Sequence, residues 1–167
     1  RVVEVGYPGG PILDKMAALG KPTYKLPHIK LAKDSYDFSF SGLKSAVINL
    51  HNKCKERNET LNYNDLACSF QEAVIDVLVS KTIMAAKEFN AKQVLIAGGV
   101  AANGTLRKRL EKECKEKGVQ LFMPDLRYCG DNAAMIASQG YYEFLAGHTA
   151  DETLNAYANM SIEENPF

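Results

Sequence analysis

The sequence predicts an α/β fold, helix-rich, with few parallel strands and an incomplete sheet. Three observations carry this expectation. From residue 93 the order reads strand, helix, strand, helix, which is the sequence form of a parallel, right-handed crossover unit. The two strands are short apolar runs, 93–97 and 119–124, bounded by polar residues, as buried parallel strands are. Upstream of them, apolar residues recur mostly at helical spacing. Two strands are fewer than most sheets hold, so further strands are expected from chain preceding Arg1.

Each element has its own local signal. Tyr7-Pro8-Gly9-Gly10-Pro11 is dense in turn formers and reads as a rigid loop with exposed backbone N–H groups. Pro11 suits the first turn of a helix that runs over 12–19 and stops at Gly20. Residues 21–36 have no clean period, and Asp37-Phe38-Ser39-Phe40-Ser41-Gly42 reads as either a short strand or an extended loop. A helix over 43–57 sets Leu43, Val47 and Leu50 on one side, and Asn58 closes it. The strongest helix spans about 64–89, with Leu66, Phe70, Val74, Val77 and Leu78 at i+3 and i+4 spacing. Asn64 or Asp65 can cap it. The next helix starts near Asn103, carries Leu106, Leu110 and Cys114 on one face, and ends at Gly118. A last helix opens at Asp131 or Asn132 and runs to about Leu145, followed by a polar, irregular tail. The 167 residues fit one domain.

Composition narrows the function classes. Lys plus Arg and Asp plus Glu are both 20, which argues against a domain that binds mainly through a large basic surface. The basic run Arg107-Lys108-Arg109, followed by Lys112, Lys115 and Lys117, is interleaved with Glu111, Glu113 and Glu116 and reads as a solvated helix face. Cys54, Cys68, Cys114 and Cys129 form no C-x-x-C pair, so the expected compartment is the reducing cytosol. No apolar run approaches the roughly 20 residues needed to span a bilayer, and no signal-peptide pattern is expected. His28, His51 and His148 are too widely spaced to form a metal-binding pair.

In open α/β sheets, ligands bind beyond the carboxyl ends of the strands. Two loop-to-helix turns fall there and are expected to converge on one crevice. In the first, Gly98 and Gly99 remove side chains where the strand exits, so a nucleotide can approach the backbone. Asn103 adds a donor and an acceptor at the following helix start. In the second, Cys129-Gly130-Asp131-Asn132 presents a carboxylate suited to a metal ion or an amine. Each turn has a plainer alternative, since Asn and Asp are also common N-caps. Asp14, one helical turn beyond the Gly9-Gly10 loop, can accept from ribose hydroxyls or simply favour the helix dipole. Ser39 to Ser45 ends on a helix N-terminus that can face an anion, without the glycine spacing of a P-loop.

Taken together, the Tyr7 to Pro11 loop, Asp37-Phe38-Ser39-Phe40-Ser41-Gly42-Leu43-Lys44, Ala97-Gly98-Gly99-Val100-Ala101-Ala102-Asn103 and Asp131-Asn132-Ala133-Ala134-Met135-Ile136-Ala137 closely resemble, in that order, the TsaD family, also called Gcp or YgjD. The resemblance covers essentially the whole chain. It implies the C-terminal part of an ASKHA fold, shared with actin, DnaK-type chaperones and hexokinase, with the N-terminal lobe absent. It implies transfer of a threonylcarbamoyl group from threonylcarbamoyl-AMP to adenosine 37 of tRNA, in the cytoplasm. It also implies an Fe2+ or Zn2+ ion and partners similar to TsaB and TsaE. By motif, Asp131 matches the family's metal-ligand aspartate. Gly10, Asp14 and Asn103 match substrate-contacting positions, with Gly98 and Gly99 near the nucleotide. The family's metal-binding histidine pair and its serine-glycine-glycine loop belong to the N-terminal half, so the chain alone is expected to be inactive, to hold the metal weakly or not at all, and to bind nucleotide poorly. Two other readings remain open. One is the family's older description as an O-sialoglycoprotein endopeptidase, a metalloprotease. The other is a non-catalytic ASKHA-like nucleotide-binding or interaction module, with the apolar faces of the helices at 43–57 and 64–89 packing internally, against the N-terminal half, or against another copy in self-association.

Overall fold

A computed structural model of the chain describes residues 6, 8–27, 35–156, 158–159 and 161. The opening segment, Tyr7, His28 and Tyr157 lie outside the described residues. The chain divides into two compact units, Arg1–Cys129 and Gly130–Phe167, and each is described by itself.

The first unit holds four α-helices and one sheet: α1 (Gly9–Leu19), α2 (Ser41–Glu56), α3 (Tyr63–Glu88), β1 (Gln93–Leu95), α4 (Gly104–Lys117) and β2 (Gln120–Phe122). A 3-10 turn, Gly99–Ala102, stands between β1 and α4. The expected parallel unit is present. β1 and β2 pair in parallel with Gln93 opposite Gln120, Val94 opposite Leu121 and Leu95 opposite Phe122. Among the described residues the sheet has these two strands alone.

α3 is the spine, and it is apolar on more than the one face expected. Phe70, Ala73 and Val74 pack with Leu26, Leu43, Val47 and Leu50 of the preceding segments. A second row, Ile75, Val79 and Ile83, packs on Leu106 and Leu110 of α4 and on Ile96 and Leu121. Ala86 continues it onto Val94 and Cys114. The apolar faces of α2 and α3 are therefore used internally. Leu66, Leu110 and Cys114 are the most deeply buried large side chains, each leucine worth about 1.5–3 kcal/mol of transfer free energy.

Several boundaries differ from expectation for local reasons. Gly9 and Gly10 are already helical, not part of a rigid loop. Pro11 fits two residues into the helix because the first-turn N–H groups have no intrahelical acceptor. Residues 35–40 are loop rather than strand. α2 starts at Ser41 with Phe40 at the cap position, while the Ser39 and Ser41 hydroxyls bond to each other at 3.0 Å. α3 is capped neither by Asn64 nor by Asp65. Asn62 accepts from both of their amides through Oδ1, at 3.0 and 3.2 Å. Asp65 instead receives the Lys21 amide at 2.8 Å and the Thr23 hydroxyl, which staples residues 21–24 to the start of α3. Asn62→Ala is expected to lower unfolding free energy by about 1 kcal/mol, read from the urea midpoint at unchanged slope.

The strand at 93–97 is also less buried than its composition suggests. Val94 points into the core, but Leu95 is 73% exposed and its partner Phe122 is 41% exposed. α4 and α3 cover one face of the pair; Leu95 and Phe122 lie on the other.

Helix ends follow one pattern. After α2, α3 and α4, a residue with positive φ (Asn58, Asn90 and Gly118) reverses the chain. The next amide then bonds back to a carbonyl in the last turn, that of Cys54, Ala86 and Cys114 respectively, at 2.8–2.9 Å. This is the Schellman arrangement, which satisfies orphan carbonyls.

The second unit contains α5 (Ala133–Leu145). Of the two candidate caps, Asn132 performs the role, accepting from Met135 N at 3.0 Å. His148 Nδ1 lies 2.6 Å from Glu143. That contact, with one from Gln139, holds the Glu143 carboxyl below the usual range. No described helix is long and apolar enough to cross a membrane.

Candidate functional site

Two of the residues singled out in the sequence, 89 positions apart, meet directly. Asn103 donates from Nδ2 to Asp14 Oδ1 at 3.0 Å and to Gln71 Oε1 at 2.9 Å. Its other atom, Oδ1, accepts from the Leu106 amide at 2.9 Å and so caps α4. The two readings of Asn103, cap or contact, are therefore not exclusive. One face of the amide starts the helix while the other reaches a carboxylate on α1.

Local structure explains why the three elements converge. α1 packs along α3, which brings Asp14 beside the turn carrying Gln71. The 3-10 turn closes through Ala101 N to Gly98 O and Asn103 N to Val100 O, both 3.0 Å, and delivers Asn103 to the head of α4. Gly10 lies on α1 one turn before Asp14, exposed, with open space where a side chain would stand. Gly98 and Gly99 are likewise exposed with open space above them.

Gly98 has φ 84° and ψ 173°, a region essentially confined to glycine. Its absent side chain is thus required by the backbone as well as available to a ligand. Gly98→Ala is expected to cost about 2 kcal/mol despite the open space, measurable by thermal or urea unfolding. A neutral result would mean that the turn relaxes.

Asp14 offers a carboxylate with about four acceptor sites, and among the described residues Asn103 fills one of them. The arrangement can therefore receive hydroxyl or amide donors at Asp14 beside a side-chain-free stretch of backbone. Burial pushes the Cys68 and Cys114 thiols up, aided by Glu72 at Cys68 and by Glu113 at Cys114, so both stay protonated at neutral pH.

Asp131 lies in the second unit, exposed, immediately before the cap of α5. Among the described residues no group of three His, Cys, Asp or Glu side chains could hold a metal ion. One carboxylate does not make a metal site, since such sites draw on several protein ligands.

Arg107 and Arg109 depart from the solvated face expected for the basic run. Arg109 bridges Glu72 at 2.7 Å and Asp76, with its side chain 37% exposed. Arg107 donates from Nε to Ala101 O at 2.7 Å, and from Nη2 to Pro124 O and toward Cys129 Sγ. It thereby ties the glycine turn to the segment leaving β2. Gln71 was also missed. Its signal was its spacing, since Gln71, Ile75, Val79 and Ile83 form one i+4 row in which a polar residue faces inward.

A family model described as TsaD, tRNA N6-adenosine threonylcarbamoyltransferase, matches residues 1–138. The tRNA N6-adenosine threonylcarbamoyltransferase of Bacillus thuringiensis (strain Al Hakam) is 54% identical over 164 residues, and that of Staphylococcus saprophyticus is 49% identical over 164. Each alignment covers 98% of this chain and 48% of the relative. The chain thus spans about half the length of the curated relatives it matches.

Proposed function

Because the chain belongs to the TsaD family of tRNA N6-adenosine threonylcarbamoyltransferases, we infer that it forms the C-terminal, nucleotide-binding part of an enzyme that modifies adenosine 37 of tRNA. In that reaction the N6 amine of adenosine attacks the carbamoyl carbon of threonylcarbamoyl-AMP. The bond from that carbon to the phosphate oxygen breaks, AMP leaves, and N6 loses a proton. The observation that carries the reading is the Asn103–Asp14 hydrogen bond, which joins two positions chosen independently by motif.

In this reading Asp14 accepts from hydroxyl groups of the adenylate, Asn103 holds Asp14 in place, and Gly10, Gly98 and Gly99 admit the nucleotide to the backbone. An ASKHA lobe is the architecture proposed, supported by the parallel β1–α4–β2 unit. The family's ion, iron or zinc, would take Asp131 as a single ligand. The described residues do not complete its donor set, so no step is assigned to it. TsaB-like and TsaE-like proteins are the proposed partners. The reducing cytosol is the proposed compartment, a reading supported by the unpaired cysteines.

Titration of the chain with AMP, followed by NMR, tests the nucleotide role. Shifts are expected at Asp14, Asn103 and the Gly98–Gly99 amides. Asp14→Asn is expected to weaken binding about tenfold, the size of a lost charge-assisted hydrogen bond. Shifts confined to other residues would overturn the assignment. The chain alone is expected to transfer no threonylcarbamoyl group to tRNA, and turnover matching a full-length relative would overturn that.

A further inference from the structure

We propose that Gln71 is a positioning residue of the Asp14 site: it braces the Asn103 amide and, through it, the carboxylate of Asp14. The inference rests on the reading of Asp14 and Asn103 as nucleotide contacts, though the orientation itself can be measured without a ligand.

The hydrogen-bond chain has its direction fixed at the Leu106 amide, a backbone N–H that can only donate, so Asn103 Oδ1 must face it. Gln71 is 7% exposed, on the face of α3 that meets α4. Buried amides are normally satisfied at both ends. Gln71 Nε2 donates to Thr105 Oγ1 at 3.0 Å, which leaves Oε1 turned toward Asn103. With Asn103 Oδ1 committed to the Leu106 amide, Nδ2 faces Gln71, and Oε1 is the end that can accept from it, at 2.9 Å. The second Nδ2 proton then falls on Asp14 Oδ1 at 3.0 Å, and Oδ1 of Asn103 falls on the Leu106 amide at 2.9 Å. Reversing Gln71 would place its NH2 group against that of Asn103. Both Nδ2 protons of Asn103 are thus committed, and the carboxylate of Asp14 is the group left with free acceptor capacity for a ligand. Asn103 therefore acts on a nucleotide chiefly through Asp14, and Gln71 acts through Asn103.

Three substitutions test this. Gln71→Met removes both polar ends at similar volume. Gln71→Glu keeps an acceptor for Asn103, and the Thr105 hydroxyl can turn to donate to the new carboxylate. Thr105→Val removes the far partner from a half-exposed position, and serves if Gln71→Met does not fold. The ligand-free readout is hydrogen exchange of the Asn103 side-chain amide by NMR. Exchange should rise about fivefold in Gln71→Met, rise about twofold in Thr105→Val, and stay near the parent rate in Gln71→Glu, one net hydrogen bond being at stake in the first. With AMP as probe, affinity should fall about fivefold in Gln71→Met and recover in Gln71→Glu. Unchanged Asn103 exchange in both Gln71→Met and Thr105→Val, or exchange in Gln71→Glu as fast as in Gln71→Met, would overturn the proposal. If the parent chain binds no AMP, the nucleotide reading fails while Asn103 exchange still decides the role of Gln71.

Discussion

Asn103→Ala is expected to destabilise the chain by about 3 kcal/mol, a large part of the 5–15 kcal/mol typical of a domain. Two independent losses add. The helix cap at Leu106 N is worth about 1 kcal/mol. Removing the donor also leaves the buried Gln71 Oε1 without its partner, at about 1–3 kcal/mol for an orphaned polar group. Urea unfolding measures the sum. A loss near 1 kcal/mol would show that the cap is the whole contribution and that Gln71 re-pairs. Asn103→Asp separates the terms further. It keeps the cap but brings a second carboxylate against Asp14 Oδ1, where Nδ2 stood at 3.0 Å. Like charges at this separation raise the pKa of the pair, so the folded state binds a proton that the unfolded state does not. The variant should therefore recover only part of the parent's stability below pH about 4, the ordinary carboxylate range, because one carboxyl proton can serve Asp14 or Gln71 Oε1 but not both, and lose that part as pH rises toward 7. Equal destabilisation at both pH values would mean that Asp14 moves away.

How much of this was legible beforehand follows from the kind of signal involved. Asp14 and Asn103 are legible because each follows a glycine pair in the sequence, which lets backbone come close to a ligand; the pair before Asp14 is helical, the pair before Asn103 a turn. Their mutual contact was not readable, because nothing local to either position reports a partner 89 residues away. The parallel pairing of β1 with β2 followed from element order, whereas the exposure of Leu95 did not. Burial depends on which neighbours cover a face, and composition is silent on that. α3 illustrates the same limit. Its spacing points to Leu66, Phe70, Val74, Val77 and Leu78 as the apolar face; Leu78 reaches the α4-facing cluster, but that cluster is built on a second row, Ile75, Val79 and Ile83. A helix buried on two sides blurs a single-stripe pattern, and Gln71 was hidden within that blur. Asp131 stays a motif-based assignment, because a lone exposed carboxylate before a helix carries the same sequence whether it binds an ion or water.

Arg107→Met is expected to cost about 3 kcal/mol, and it tests whether the two turns that frame the β1–α4–β2 unit are held as one piece. Arginine at the first turn of a charged helix ordinarily faces water, which is how the run 107–109 reads in isolation. Here the guanidinium fork has a defined task. Nε takes the Ala101 carbonyl of the glycine turn, and Nη2 takes the Pro124 carbonyl at the exit of β2. Ala101 is itself buried, so water replaces the lost donor poorly. Hydrogen bonds from a charged group contribute about 1.5–3 kcal/mol each, reduced here by partial exposure of the side chain. Arg107→Lys discriminates this clamp from a general need for positive charge. A compact ammonium cannot reproduce the planar fork that spans two carbonyls, so lysine should recover less than half of the loss. Full recovery by lysine would mean that charge near the head of α4, rather than the bridge, is what matters. The clamp also predicts where the damage appears. Amide exchange should accelerate at Ala101 and Asn103, the two amides that close the 3-10 turn, before it accelerates in the α3 core. Loosening that turn would shift Asn103 relative to Asp14, so AMP affinity should fall in Arg107→Met although the altered side chain touches neither residue. Unaltered affinity with the turn demonstrably loosened would mean that Asp14 is held by α1 alone.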